Sequence, residues 1–393
     1  MNPKSLISSA DRQEVIELAE TLIAIESHAE APQREMEVGR TLASWFRERR
    51  IDCDLLPVCG NRANVLARVA GGGEPVLLLN GHLDTVPAGA MHDAFAPRRD
   101  GADLWGRGAC DMKGALAAMC VSLSVLSRSP SLLGGTLLFA GTVDEESGSL
   151  GIRALLDGGV GADGAVVGEP TSLRPAVAHK GSCFVRIELC GRGAHGSVPA
   201  EGVNAAAAGA RIALAIEETL QPTLRSRTHP LLGHSTVSLG RLCGGTQPNI
   251  VAERCELDID RRVLPGEDGA LDELCDLVSS VCDGIEGLSY QITEMPMTAA
   301  VPHVPLGTAA SDPIAQAAIA ACATLDLPAE PVGVTYWTDG GHLAARGIPA
   351  IILGPGDIRY AHGPEERVPI SELGLAAELY ARIAVRFLAG ANA

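Results

Sequence analysis

Apolar residues recur along this chain with two different periods, and the change falls near residue 180. Over 11–27, Val15, Leu18, Ala19 and Leu22 keep helical spacing, and over 33–49 Met36, Val38, Leu42 and Trp45 repeat it. Strand-like runs follow at 64–69 and 76–80. The second is continuously apolar, as in a strand covered on both faces. A helix is predicted over 113–126, with further buried strands at 136–140 and 165–167. Strand alternating with helix predicts a covered, largely parallel sheet.

Beyond Lys180 the alternation shortens to every second residue. Strands are predicted at 182–189, 235–242, 250–261 and 289–293, with helices at 203–220 and 269–282. The order βαββαβ is the ferredoxin-like arrangement. After Pro296 the first pattern returns, with a helix over 313–325, a buried strand over 349–353 and a last helix capped by Ser371 and running to about Ala389. The expected organisation is therefore an α/β fold of two domains. One domain consists of 1–178 and 296–393, with a second, 179–295, inserted into it.

Composition narrows the picture without changing it. The 393 residues exceed a single domain of about 100–200. With 46% hydrophobic and 20% charged residues, a filled core is expected rather than disorder. Aromatics are 3% and glycines number 45, so that core is aliphatic and packed around small residues. A net charge of −17 argues against nucleic acid or anionic lipid as partners. The 11 cysteines show no CxxC pairs and read as buried hydrophobes in a reducing compartment. No signal-peptide core and no apolar stretch of about 18 residues stands out, so a cytoplasmic location is expected.

Five short signatures then carry the candidate chemistry: Gly81-His82-Leu83-Asp84-Thr85, Gly106 through Gly114, Asp144-Glu145-Glu146, Gly168-Glu169-Pro170 and Ala361-His362-Gly363. Most follow a predicted strand, and open α/β sheets gather their chemistry beyond the carboxyl ends of strands. Imidazole nitrogen with carboxylate oxygen is a zinc-type donor set. A co-catalytic pair of metals about 3.5–4 Å apart needs a bridging carboxylate. Asp111 suits the bridge, in a Gly-rich turn where backbone approaches closely. His82 and His362 can take one metal each, and Glu146 and Glu169 can complete the sites. Asp84 suits orienting His82 by accepting its other ring N–H. Glu145 and Glu146 are neighbours whose side chains diverge, so one ligates while the other serves as general base. The residues alone leave that choice open. A dinucleotide-binding reading fails because Gly106-Arg107-Gly108 lacks the third glycine, where Asp111 stands.

These strings resemble the zinc amidohydrolases that include acetylornithine deacetylase, succinyl-diaminopimelate desuccinylase, aminoacylase-1 and bacterial glutamate carboxypeptidase. The likeness spans nearly the whole chain, and Gly168-Glu169-Pro170 is similar to the deacetylase and desuccinylase branch, where a Glu stands and other branches place Asp. It implies a zinc-exopeptidase-like α/β/α catalytic domain with a ferredoxin-like lid that also dimerises. It implies two divalent ions per subunit, Zn2+ above all, with Co2+ or Mn2+ as alternatives. It makes Asp111 the bridge, His82 and Glu169 the ligands of one metal, and Glu146 and His362 those of the other. Glu145 becomes the base that deprotonates a metal-bridging water and later protonates the leaving amine. A cis Asp111–Met112 peptide is also implied.

The resemblance extends to the lid. His195, in Gly193-Ala194-His195-Gly196-Ser197, is similar to a histidine that family dimers present to the partner subunit's site, where it steadies the oxyanion. Asn249 is similar to an asparagine near the same place, and Arg262 to the arginine that holds the substrate carboxylate. Gly354 and Gly356 are expected to offer backbone N–H groups beside the substrate. The stretch Trp337 to His342 helps to shape the pocket in relatives, and His342 has no assigned role. The expected activity is hydrolysis of an N-acyl-L-amino acid in a homodimer. Desuccinylation of succinyl-diaminopimelate, or dipeptidase or carboxypeptidase action, is the alternative.

Overall fold

Every second residue of the central strands points to the opposite side of the sheet, and here both sides are apolar. Leu77 and Leu79, Leu137 and Phe139, and Val166 join one buried cluster. Their neighbours Leu78, Leu138, Ala140, Ala165 and Val167 join another. A strand with two buried faces belongs inside a three-layer sandwich, and the computed structural model of the chain, which describes residues 5–299 and 301–389, contains one.

The chain divides into two units. The first comprises the described residues up to Ala178, Leu306–Val334, and those from Thr338 onward. Its nine-stranded sheet has the order Asp52–Cys59, Arg62–Ala70, Thr136–Thr142, Val76–His82, Gly164–Val167, Ala350–Ile352, Ala176–His179 and Leu306–Gly307, with Val332–Val334 paired to Ala176–His179. The four strands from Thr136–Thr142 to Ala350–Ile352 are mutually parallel. Antiparallel pairs flank them.

Helices Ser9–Ile23, Gly114–Ser127, Pro313–Thr324 and Ile370–Leu388 cover one face. Leu150–Asp157 and Gly340–Ala345 lie on the other. The first helix opens with a capping box between Ser8 and Asp11. The last is capped at Pro369 with no side-chain bond, so Ser371 lies inside the helix instead of starting it. Against the expectation of no such stretch, the segment Ala109–Ser127 is long and apolar enough to cross a membrane. It is 94% buried within the fold, which marks a core helix.

The second unit comprises the described residues of His179–Pro305, with Thr335–Trp337. Its four-stranded antiparallel sheet has the order Thr236–Gly244, Arg254–Val263, Gly181–Cys190, Ser289–Glu294. Val185, Ile187, Leu189, Leu257 and Ile259 face helices Ala205–Ala215 and Ala270–Cys282 across one core. The chain leaves this unit beyond the break expected at Pro296. Met295 donates to the Phe184 carbonyl and Ser182 to the His303 carbonyl, which keeps the intervening residues with this sheet.

Candidate metal centre

The parallel strands of the first unit end level with one another. His82, the last residue of its strand, is in register with Thr142, and Asn80 and Ile352 are both in register with Val167. The segments that leave these ends bring together His82, Asp84, Asp111, Glu145, Glu146, Glu169 and His362. Space for the Asp111 turn comes from two signature glycines. A Cβ on Gly81 would lie 2.5 Å from Met112 Cε, and one on Gly168 would lie 2.6 Å from it. A larger residue at either position would displace the Met112 side chain, and the Asp111–Met112 peptide between them is cis.

The contacts run as a ladder. Glu169 Oε1 is 3.6 Å from His82 Nε2. His82 Nε2 is 2.8 Å from Asp111 Oδ1. Asp111 Oδ2 is 3.2 Å from His362 Nε2, and His362 Nε2 is 3.0 Å from Glu146 Oε1. Asp111 thus turns one oxygen to each histidine. Ligand atoms of His82, Asp111 and Glu146, and those of His82, Glu145 and Glu169, each lie within 4.8 Å of one another. His82, Asp111 and Glu169 are buried, whereas the His362 side chain is half exposed.

The electrostatics favour a cation. Burial pulls the His82 imidazole down, but Glu169, Asp111 and Glu145 together hold it well above its ordinary pKa. Burial also raises Asp111, yet hydrogen bonds from His362 and His82 keep its carboxyl below the usual range. His362 is pushed up to about 10 by its bonds to Asp111 and Glu146. Burial, reinforced by neighbouring carboxylates, drives Glu145 and Glu169 well above the usual range. Buried carboxylates crowded this closely need positive charge among them. Protonated histidines supply part of it, and divalent ions fit the same nitrogen and oxygen donors.

Asp84 does a different job from the one expected. His82 Nδ1 bonds at 2.9 Å to the main-chain carbonyl of Asp84, leaving the Asp84 carboxylate 3.7 Å away. A carbonyl only accepts, so Nδ1 carries the proton and Nε2 is left to face the carboxylates. The Asp84 carboxylate instead accepts the main-chain N–H groups of Glu145, at 3.1 Å, and Glu146, at 3.0 Å. Gly354 and Gly356 also depart from expectation. The N–H of Gly354 is given to Thr171 Oγ1 and that of Gly356 to Glu372, so both are already engaged within the fold.

Several buried residues escaped the sequence reading. Arg62 pairs with Glu35 and with Asp144, fixing the loop that carries Glu145. Asp339 accepts from Thr142, and burial lifts it to about 6. Glu366 accepts from the main chain of Gly108, Cys110 and Asp111 and from Arg107. A charge in a string such as Pro364-Glu365-Glu366 reads as a solvated loop, and nothing in its spacing marks it as buried.

In the second unit His195 and Asn249 lie side by side. His195 bridges Ile250 in antiparallel fashion, and Gly196 donates to the Asn249 carbonyl. Both residues are exposed, and His195 Nδ1 meets Ser197 Oγ at 2.7 Å. Arg261 and Arg262 point to opposite faces of their strand. Arg261 is fully buried against Glu267 and Glu273. Arg262 is partly exposed, pairs with Asp260 at 2.8 Å and lies over Phe184.

Histidines and carboxylates clustered at the ends of parallel strands are the donor set of a metal-dependent enzyme, and the chain's relatives make that enzyme an amide hydrolase. The chain belongs to peptidase family M20/M25/M40, whose description matches residues 78–386. It is similar to the acetylornithine deacetylases of Pectobacterium carotovorum and Pectobacterium atrosepticum. Each is 32% identical over an alignment of 390 residues that covers 95% of this chain and 97% of the relative. Among solved structures it is similar to aminopeptidase PepT of Bacillus cereus, with a TM-score of 0.81 at 20% identity over 97% of this chain and 99% of that one. A dinuclear metal binding peptidase of the M20 family from Bacillus subtilis gives a TM-score of 0.74 at 19% identity, over 97% and 99% of the two chains.

Proposed function

We propose that this hydrolase removes the acyl group from an N-acyl-L-amino acid, in the manner of an acetylornithine deacetylase. The observation that carries the reading is the ladder Glu169–His82–Asp111–His362–Glu146, with one Asp111 oxygen turned to each histidine. Such a set suits two divalent ions, zinc first. His82 and Glu169 would hold one ion, His362 and Glu146 the other, and Asp111 both. When bound, the ions polarise the scissile carbonyl and acidify the attacking water. Similarity to the two deacetylases along nearly their full length supports the substrate class.

The rest of the chemistry falls to the chain. Glu145 takes a proton from the attacking water and gives it to the departing nitrogen, so amide and water become acid and amine. The Asp84 carboxylate fixes Glu145 from behind, through the main chain. Arg262 holds the substrate carboxylate in a planar fork, which suits its partly exposed side of the strand. His195 stabilises the oxyanion in the partner subunit's site of a homodimer, and Asn249 beside it binds substrate. Exposed apolar side chains on the second unit, including Val198, Leu242 and Ile250, support an interface there, as does the edge position of strand Thr236–Gly244.

The test is a hydrolysis screen of metal-reconstituted protein with N-acetylornithine, N-succinyl-diaminopimelate, N-acetylmethionine and dipeptides. The expected result is preferred cleavage of an N-acetyl amino acid. Faster cleavage of dipeptides would overturn the substrate assignment.

A further inference from the structure

One buried ion pair joins three of the segments that supply the metal centre. Arg107 and Glu366 contact each other, with side chains 1% and 0% exposed. One carboxylate oxygen of Glu366 accepts the N–H groups of Gly108 at 2.9 Å, Asp111 at 3.1 Å and Cys110 at 3.2 Å. The other takes the Arg107 guanidinium. Arg107 in turn donates to the carbonyls of Pro87 and Ala88, each at 3.1 Å, and of His362 at 3.5 Å. Pro87 and Ala88 lie on the loop that continues from His82 and Asp84 through Thr85 and Val86. The pair therefore ties that loop, the Asp111 turn and the His362 loop together, and its bonds land on main chain.

A buried ion pair is weak evidence of stabilisation, because desolvation offsets much of its attraction. What such a pair does provide is fixed geometry, and here that geometry belongs to ligand-bearing backbone. We propose that Arg107 and Glu366 are positioning residues that set the metal affinity of the centre. Their effect falls chiefly on the His362–Glu146 half. Glu366 bonds directly to the Asp111 main chain and shares a loop with His362. It reaches the His82 loop through Arg107, and the bonds of the pair run to Pro87, Ala88, Gly108, Cys110, Asp111 and His362, away from Glu169. The inference rests on the two-metal reading above.

Glu366→Gln tests it. The amide keeps the size but has a single oxygen, which cannot serve both the Arg107 fork and three N–H groups. Titration of the metal-free full chain with Co2+, followed by visible absorption and metal analysis, should show two ions in the wild type. In the variant one of the two sites should lose roughly 10–100-fold in affinity, as is usual when a group supporting a ligand is removed, while the other should be nearly unchanged. Arg107→Lys keeps the charge, loses the fork and should shift the same site in the same direction. It serves if Glu366→Gln does not fold.

If the wild type binds two ions and both variants bind them with wild-type affinities, losing only thermal stability, the pair is a structural staple and the inference is overturned. If the wild type binds no second ion, the two-metal reading falls and takes the inference with it.

Discussion

Asp84 holds Glu146 through the backbone: its carboxylate accepts the Glu146 main-chain N–H at 3.0 Å, while its second oxygen takes that of Glu145. A carboxylate that shows no close bond from its side chain to the neighbouring imidazole thus fixes a proposed ligand and a proposed base together. Burial raises Asp84 to about 7 against the opposing pull of His82 and of the bond from the Glu146 backbone, both of which favour the charged form.

Asp84→Asn should fold but lose one of these bonds, because the two N–H groups meet different carboxylate oxygens and the amide replaces one of those oxygens with a donor NH2. The loss should appear as a fall in kcat of about 10–100-fold with substrate affinity little changed, the range for groups that orient a metal site. Steady-state kinetics at saturating metal measure it, and a change confined to KM would assign Asp84 to substrate binding instead.

Asp111→Asn should uncouple the protein from metal. Zinc at about 100 times its dissociation constant stabilises a folded chain by about 2.7 kcal/mol. The wild type should accordingly melt higher with zinc than with a chelator. The variant should lose most of that difference, because both histidines face Asp111. Calorimetric melts of both proteins in each buffer decide the matter.

His195→Ala should lower kcat by about 10²–10³-fold, as for loss of one oxyanion donor. If the histidine acts across a dimer, mixing this variant with Glu145→Gln should restore partial activity. Hybrid dimers then hold one site with Glu145 intact and His195 supplied by the other chain. No recovery after subunit exchange would place His195 outside the partner's site.

Glu267 is the electrostatic anchor of the second unit, bonding Arg261, Arg227, Ser235 and the Leu264 N–H. Burial raises its pKa, but these bonds more than reverse the shift and leave the carboxyl below its ordinary value. Its contribution is complete above the unfolded glutamate pKa of about 4.3 and fades as pH falls through the lower folded value. Glu267→Gln leaves Arg261 buried with Glu273 as its remaining carboxylate partner at 3.3 Å. The cost should be about 2–3 kcal/mol at neutral pH, below the roughly 3–5 for a fully orphaned buried charge. Urea unfolding across pH should show the gap between the two proteins closing in acid.

What was legible in the sequence has physical causes. The strands Val76–His82, Thr136–Thr142 and Gly164–Val167 lie in the middle of the sheet with both faces covered, so their sequences are continuously apolar and easily read. Asp52–Cys59 is an edge strand that alternates weakly around Pro57, and it went unseen. So did the small sheet of Arg98–Asp100, Asp103–Trp105 and Arg367–Pro369, whose pairing joins charged segments far apart in the chain.

At the site, residue types pointed to His82, Asp111, Glu146, Glu169 and His362, because imidazole and carboxylate at strand ends are chemically distinctive. The supporting contacts were not legible. Whether Asp84 offers its carbonyl or its carboxylate to His82, or whether the Gly354 N–H is already given to Thr171, depends on backbone directions that residue identity does not encode.

The central claim is that Glu145 moves the proton while the ladder residues hold the metals. The most direct measurement is kcat on the best N-acyl substrate for zinc-reconstituted wild type and Glu145→Gln, with zinc content determined on the same samples. The account predicts equal zinc in both and a variant slower by about 10²–10⁴-fold. Full turnover by a zinc-replete Glu145→Gln protein would contradict it.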